Sequence, residues 1–195
     1  MDFSHLNICV VDNGGQWTHR EYRVLRDLGA TVRIVPNTAP IVEIKEADAL
    51  VLSGGAPSVY AEREKLGRLG DYLDHFDGPV LGICVGHQYI AHHFGGVTGP
   101  GSSGEYGKTS INVLFQDELF REIPSSFQVW ASHTDEVKKL PPGFILLASS
   151  NDCPVEAMAS KNRPIYGVQF HPEVEDTEHG RHIFSNFLLR VLECK

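Results

Sequence analysis

Residues 80–88 read Val80-Leu81-Gly82-Ile83-Cys84-Val85-Gly86-His87-Gln88. The first four form a short, continuous apolar run, the pattern of a strand covered on both faces. The run stops at a cysteine with a glycine two residues to either side, and residues 89–94 continue with helical character. Glycines at those positions let neighbouring backbone pack closely around a sharp strand-to-helix turn.

The same punctuation recurs upstream. Residues 6–11 (L-N-I-C-V-V) are strand-like and end in Asp12-Asn13-Gly14-Gly15. Residues 17–28 carry Tyr22, Leu25 and Leu28 at helical spacing, with Gly29 as the stop. Residues 31–35 and 49–52 are further strand candidates, and 62–76 is helix-like. Strands and helices alternate, and the strands are apolar throughout. This points to an α/β fold, a doubly wound and largely parallel sheet flanked by helices, flavodoxin-like in type. After Gly95 the pattern changes to closely spaced strand candidates at 109–114, 128–131, 144–149, 155–159 and 165–169. They are expected to extend the same sheet in antiparallel fashion. The glycine-rich stretch 99–107 is expected to be a surface loop, a candidate for closing over substrate. A last helix over 177–192 has Ile183, Phe187, Leu188 and Val191 on one face.

The chain has 195 residues, against about 100–200 for a typical domain, so residues 1–195 are expected to form a single domain. There are 25 acidic and 17 basic side chains, a net charge of −8. That balance argues against nucleic acid, which needs a positive footprint. No apolar stretch approaches the roughly 20 residues of a membrane span, and residues 1–5 lack the basic and apolar regions of an export signal. The four cysteines are scattered, with no C-x-x-C pair. Reduced thiols and a cytoplasmic location are expected.

Cys9 sits between Ile8 and Val10 in a strand run and belongs to the core. Burial as one more small hydrophobe explains Cys84 less well, because it accounts for neither the flanking glycines nor the polar His87-Gln88. A cysteine at a helix N-terminus meets a partial positive charge that favours the thiolate. The amide of Val85 would then face any oxyanion formed on an acyl group bonded to that sulfur. A thiolate nucleophile needs a base, and the base needs an orienting group. Among ten histidines, His171 in Gly167-Val168-Gln169-Phe170-His171-Pro172-Glu173 is delivered to the end of a strand. Residues two apart in extended backbone share a face, so Glu173 can accept its ring N–H. Alone, H-P-E is an ordinary surface loop; beside Cys84 it becomes a candidate base and its orienter. Ser53-Gly54-Gly55-Ala56-Pro57 follows another strand, where side-chain-free backbone can approach a ligand. No G-x-G-x-x-G fingerprint supports dinucleotide binding. His92-His93 and the His179, His182 pair lack further ligands, so no metal site is expected from spacing.

Together, G-I-C-V-G-H-Q, S-G-G and G-V-Q-F-H-P-E, in that order, resemble the class I (triad-type) glutamine amidotransferases over nearly the whole chain. Finer elements are similar to the branch that supplies free-standing amidotransferase subunits to archaeal-type GMP synthases. These are V-V-D-N-G-G-Q from Val10, I-V-P-N-T from Ile34, V-W-A-S-H-T-D-E-V from Val129 and C-P-V-E-A-M from Cys153. The resemblance implies Cys84 as nucleophile, His171 as general base and acid, and Glu173 as its orienter. Gly55 and Val85 would supply oxyanion-hole amides. Gly54 and Gly55, with Gln88, Ser132, Thr134 and Asp135, would hold the glutamine. The chain departs from the family where it reads S-G-G-A-P-S for the usual S-G-G-P, and where Val85 replaces a larger residue.

The implied activity is hydrolysis of glutamine through a Cys84 thioester, with ammonia passed to an ATP-pyrophosphatase subunit that converts XMP to GMP. No cofactor is expected in this chain, and ATP and magnesium would belong to that partner. Asp135 with Lys138 and Lys139 is the stretch expected to face it. The alternatives are a subunit of anthranilate or aminodeoxychorismate synthase, a stand-alone γ-glutamyl hydrolase, or a binding module that keeps only the fold.

Overall fold

In the computed structural model, which describes residues 2–195, each apolar run before Cys84 forms a strand, and all but the edge strand at residues 31–36 are largely buried. The parallel part comprises β1 (Asn7–Asp12), β2 (Thr31–Pro36), β3 (Ala49–Leu52), β4 (Val80–Ile83) and β9 (Ile165–Val168). Between them lie α1 (Thr18–Asp27), α2 (Ile41–Ile44), α3 (Leu69–His75) and α4 (Val85–His93), and α5 (Gly180–Glu193) closes the chain. The antiparallel part comprises β5 (Val97–Val113), β6 (Ser126–Lys139), β7 (Phe144–Ser149) and β8 (Ala157–Ser160). All nine strands join one sheet in the order β2-β1-β3-β4-β9-β8-β7-β5-β6.

β1 pairs in parallel with both β2 and β3, so the chain winds away from β1 in opposite directions. A crevice opens at such a switch point beyond the carboxyl ends of the strands, where α/β sheets bind ligands. The ends of β1, β3, β4 and β9 deliver Asn13, Ser53, Cys84 and Gln169 to that edge. β3, β4 and β9 are buried at every position, which explains their unbroken apolar sequences.

Several expectations shift. The antiparallel part is the more extensive, because β5 and β6 are the two longest strands. Residues 99–107 are not one loop but part of β5, paired with β6 at Gly99–Pro100 and again from Glu105, with a break in register over the residues between. Its glycines read as loop in the sequence, whereas pairing with β6 supplies the missing support. The helix expected over 62–76 is split into a 3-10 turn at Arg63–Leu66 and α3, broken at Gly67 with φ +56°. On α1 the buried face runs through Thr18, Glu21 and Leu25 rather than through Tyr22.

Candidate active site

β4 drives straight into α4, and the single residue between them is Cys84, with φ 50° and ψ −102°. A non-glycine residue at positive φ is strained. Here the strain is held by packing on both flanks. A Cβ at Gly86 would land on the carbonyl oxygen of Leu52, and one at Gly82 would strike the Gly86 backbone. As the first residue of α4, Val85 has an N–H with no acceptor inside its own helix. Val85 borders the cavity beside Cys84.

His171 leaves β9 on the neighbouring strand. Its Nδ1–H donates to Glu173 Oε1 at 2.7 Å, and the Glu173 side chain is wholly buried. Its backbone is pinned as well. The His171 N–H donates to the Trp130 carbonyl at 2.9 Å, and Thr177 Oγ1 donates to the His171 carbonyl at 2.6 Å. The Trp17 ring stands edge-on to the imidazole, centroids 4.4 Å apart. Burial alone would lower the His171 pKa, but its interactions with Cys84 and Glu173 outweigh burial and push it up to about 10. Gly54 lies between the two reacting side chains: a Cβ there would sit 3.1 Å from His171 Cε1 and 3.7 Å from Cys84 Cβ.

Two cavities meet at Cys84, Gly55, Ala56 and Ser132. One, of about 270 Å³, is lined by Gly54, His171 and Glu173. The other, of about 380 Å³, is lined by Val85, Gln88, Thr134 and Asp135. Every catalytic and substrate-binding residue expected from the sequence therefore borders one crevice. Gln88 Nε2 donates to the Asp135 carbonyl at 2.7 Å and to Gln169 Oε1 at 3.2 Å, which fixes the β6 segment against α4. The Asp135 carboxylate accepts from Ser58 Oγ, while Lys138 pairs with Glu136 at 2.6 Å.

Three contributors escape sequence reading. Trp17 and Glu21 come from α1 and its approach, and nothing in their spacing points to His171. Glu21 is buried, and its Oε1 accepts from the Gly54 N–H at 3.4 Å. Burial and the nearby Glu173 charge hold its carboxyl well above the usual range. His87, polar in sequence, is instead a structural residue: its Nε2–H donates to the Val155 carbonyl at 3.1 Å. Burial pushes its pKa down to about 3, so the ring is neutral.

This arrangement suits attack of a thiolate on a carbonyl carbon, with a histidine at hand to move protons. Comparison with known proteins agrees. Residues 9–191 match the family model for glutamine amidotransferase class-I. The chain is 52% identical over 183 residues to a glutamine-hydrolysing GMP synthase subunit of Thermoplasma acidophilum, covering 94% of this chain and 92% of that one. It is 51% identical over 185 residues to the protein of the same name from Thermococcus kodakarensis, covering 92% and 96%. A crystal structure of a putative GMP synthase subunit from T. acidophilum superposes with a TM-score of 0.93 at 50% identity, covering 97% and 95%. A glutamine amidotransferase from Thermotoga maritima shares the fold, with a TM-score of 0.77 at 20% identity over 97% of both chains.

Proposed function

The chain belongs to the class I glutamine amidotransferases, and from that premise we propose that it is the glutamine-hydrolysing subunit of a GMP synthase. The observation that carries the reading is the buried His171–Glu173 pair beside a cysteine held at positive φ, in a chain so similar to subunits of that name.

Glutamine lies with its α-amino and α-carboxylate groups in the cavity bordered by Gln88, Ser132, Thr134 and Asp135. Its carboxamide reaches Cys84 where the two cavities meet. The Cys84 sulfur attacks the carboxamide carbon, and the C=O pair moves onto oxygen, which accepts hydrogen bonds from the Gly55 and Val85 amides. As the tetrahedral centre collapses, the C–N bond breaks and His171 gives its proton to the departing nitrogen, releasing ammonia. A γ-glutamyl thioester remains on Cys84. Water then loses a proton to His171 as it attacks the thioester carbon, and the C–S bond breaks to give glutamate. Glu173 holds the ring so that Nδ1 keeps its hydrogen throughout, the role of the carboxylate in a catalytic triad.

Ammonia released into neutral water is mostly protonated, and ammonium is not a nucleophile. The product is useful only if handed directly to a second active site. That site belongs to an ATP-pyrophosphatase subunit, which activates XMP with ATP and magnesium and aminates it to GMP. This chain carries no S-G-G-x-D-S loop of its own. The setting is the cytoplasm, where Cys84 stays reduced.

Mixing the chain with such a subunit, XMP, ATP and magnesium tests this reading. Glutamine is expected to support GMP formation with the wild-type chain and not with Cys84→Ala, while ammonium supports it with either. Glutamine-dependent anthranilate formation with an anthranilate synthase partner, and no GMP, would overturn it.

A further inference from the structure

Behind the β6 segment that borders the crevice, and reaching it through His133, four side chains converge. Glu105 comes from β5, His133 from β6, and Cys153 and Glu156 from the connection between β7 and β8. One donor atom from each lies within 4.8 Å of all the others. Cys153 and Glu156 are fully shielded from solvent, and Glu105 and His133 nearly so.

The polar requirements of this cluster are unmet by protein alone. Neither Glu156 oxygen has a hydrogen-bond partner among the described residues. A buried, unpaired carboxylate is costly, and a cation or a proton must answer it. His133 makes the same point. Its Nδ1 lies 3.1 Å from the Asp135 carbonyl oxygen, which can only accept, so Nδ1 carries a hydrogen. Its Nε2 lies 3.0 Å from Glu105 Oε2, so that pair too needs a proton or a metal ion between its two atoms.

We propose that Glu105, His133, Cys153 and Glu156 form a structural binding site for one divalent metal ion of the zinc class. The donor set is one thiolate, one imidazole and two carboxylates, the mixture that borderline-soft Zn²⁺ accepts in closed four-coordinate sites. Outer contacts of the expected kind are in place. The Asp135 carbonyl fixes the His133 tautomer, and Ser150 Oγ donates to Glu105 Oε1 at 2.6 Å. A dication would also relieve the charge conflict. Without one, burial and Glu105 push the Glu156 carboxyl up, and burial and Glu156 push the Cys153 thiol up.

The ion would tie the β5–β6 pair to the β7–β8 connection and so brace His133 between Ser132 and Thr134. The four ligands are spread from residue 105 to residue 156 with no recurrent spacing, which is why sequence reading passes them by.

The test uses the full chain carrying Cys84→Ala, so that the thiol of the crevice cannot contribute a ligand. Protein from zinc-supplemented cultures, exchanged into metal-free buffer, is expected to retain about one equivalent of zinc by elemental analysis. Stripping with a strong chelator is expected to lower the melting temperature, and zinc but not magnesium to restore it. Reloading with cobalt is expected to give a thiolate-to-metal charge-transfer band that a further Cys153→Ser or Cys153→Ala substitution removes. If both substitutions fail to fold, the band and stoichiometry of the Cys84→Ala parent decide. Folded parent protein that holds below about 0.1 equivalents of zinc and shows no such band would overturn the proposal. Protons would then be what neutralises the cluster.

Discussion

At the scale of single residues, the proposed catalysis rests on how His171 is held. Its Nδ1–H bond to a fully buried Glu173 carboxylate fixes which ring nitrogen faces the reaction. Glu173→Gln keeps the size but offers an amide that can turn its NH₂ toward the ring and stabilise the wrong tautomer. A loss of about 10³–10⁴ in kcat is expected, with KM nearly unchanged, as for carboxylate loss from a comparable triad. Steady-state glutaminase assays check this. Glu21 is a different case. Burial and Glu173 hold its carboxyl well above the usual carboxylate range. The folded chain therefore binds that proton more tightly than the unfolded chain, and Glu21 costs stability progressively as pH rises beyond that range. Glu21→Gln removes the cost. Its melting temperature is expected to match or exceed that of the wild type near pH 8, with the advantage shrinking toward pH 5. A disadvantage that grows with pH would contradict the assignment. Cys84, His171 and Glu173 were legible because each sits in a local backbone signal, a glycine-flanked turn or a strand end. Glu21 and Trp17 were not, because only the path of the chain from β1 into α1 brings them to the triad.

At the scale of elements, the turn between β4 and α4 depends on two backbones touching. Gly86 has no room for a side chain, since its Cβ would meet the Leu52 carbonyl oxygen at the end of β3. Gly86→Ala must push α4 away from the sheet, carrying the Val85 amide with it. A destabilisation of about 1–3 kcal/mol is expected, as for other overpacked sites, together with a fall in kcat larger than the rise in KM. Denaturant unfolding and glutaminase kinetics measure the two parts separately. The central parallel strands could be read from sequence because burial on both faces leaves apolar runs with no alternation. Of β5, only the part from Thr109 could. Its Gly- and Ser-rich stretch has the composition of a loop, and it becomes a strand only because β6 pairs along it as far as Val97. Long-range pairing overrode local propensity there. The same reason hid the Glu105, His133, Cys153 and Glu156 cluster, whose members meet only after β5, β6 and β8 are assembled.

At the scale of the whole molecule, a nine-stranded sheet brings residues of its parallel half and of its antiparallel half to one crevice. The triad stands at the carboxyl ends of β4 and β9, and Ser132 to Asp135 on β6 close the crevice from the other half. A chain built this way can cut ammonia from glutamine. Its relatives are named as subunits, which implies a partner subunit. The overall class was legible at this scale from the alternation of strands and helices, while the extent of the antiparallel half was not, because long-range pairing turns the Gly- and Ser-rich start of β5 into strand. The central claim, hydrolysis through a covalent bond to Cys84, is tested most directly by rapid acid quenching during glutamine turnover, followed by intact-protein and peptide mass spectrometry. A single γ-glutamyl group is expected on the peptide containing Cys84, absent from Cys84→Ala and removed by neutral hydroxylamine. Turnover of glutamine by folded Cys84→Ala protein at a rate near that of the wild type, with no adduct on either, would contradict it.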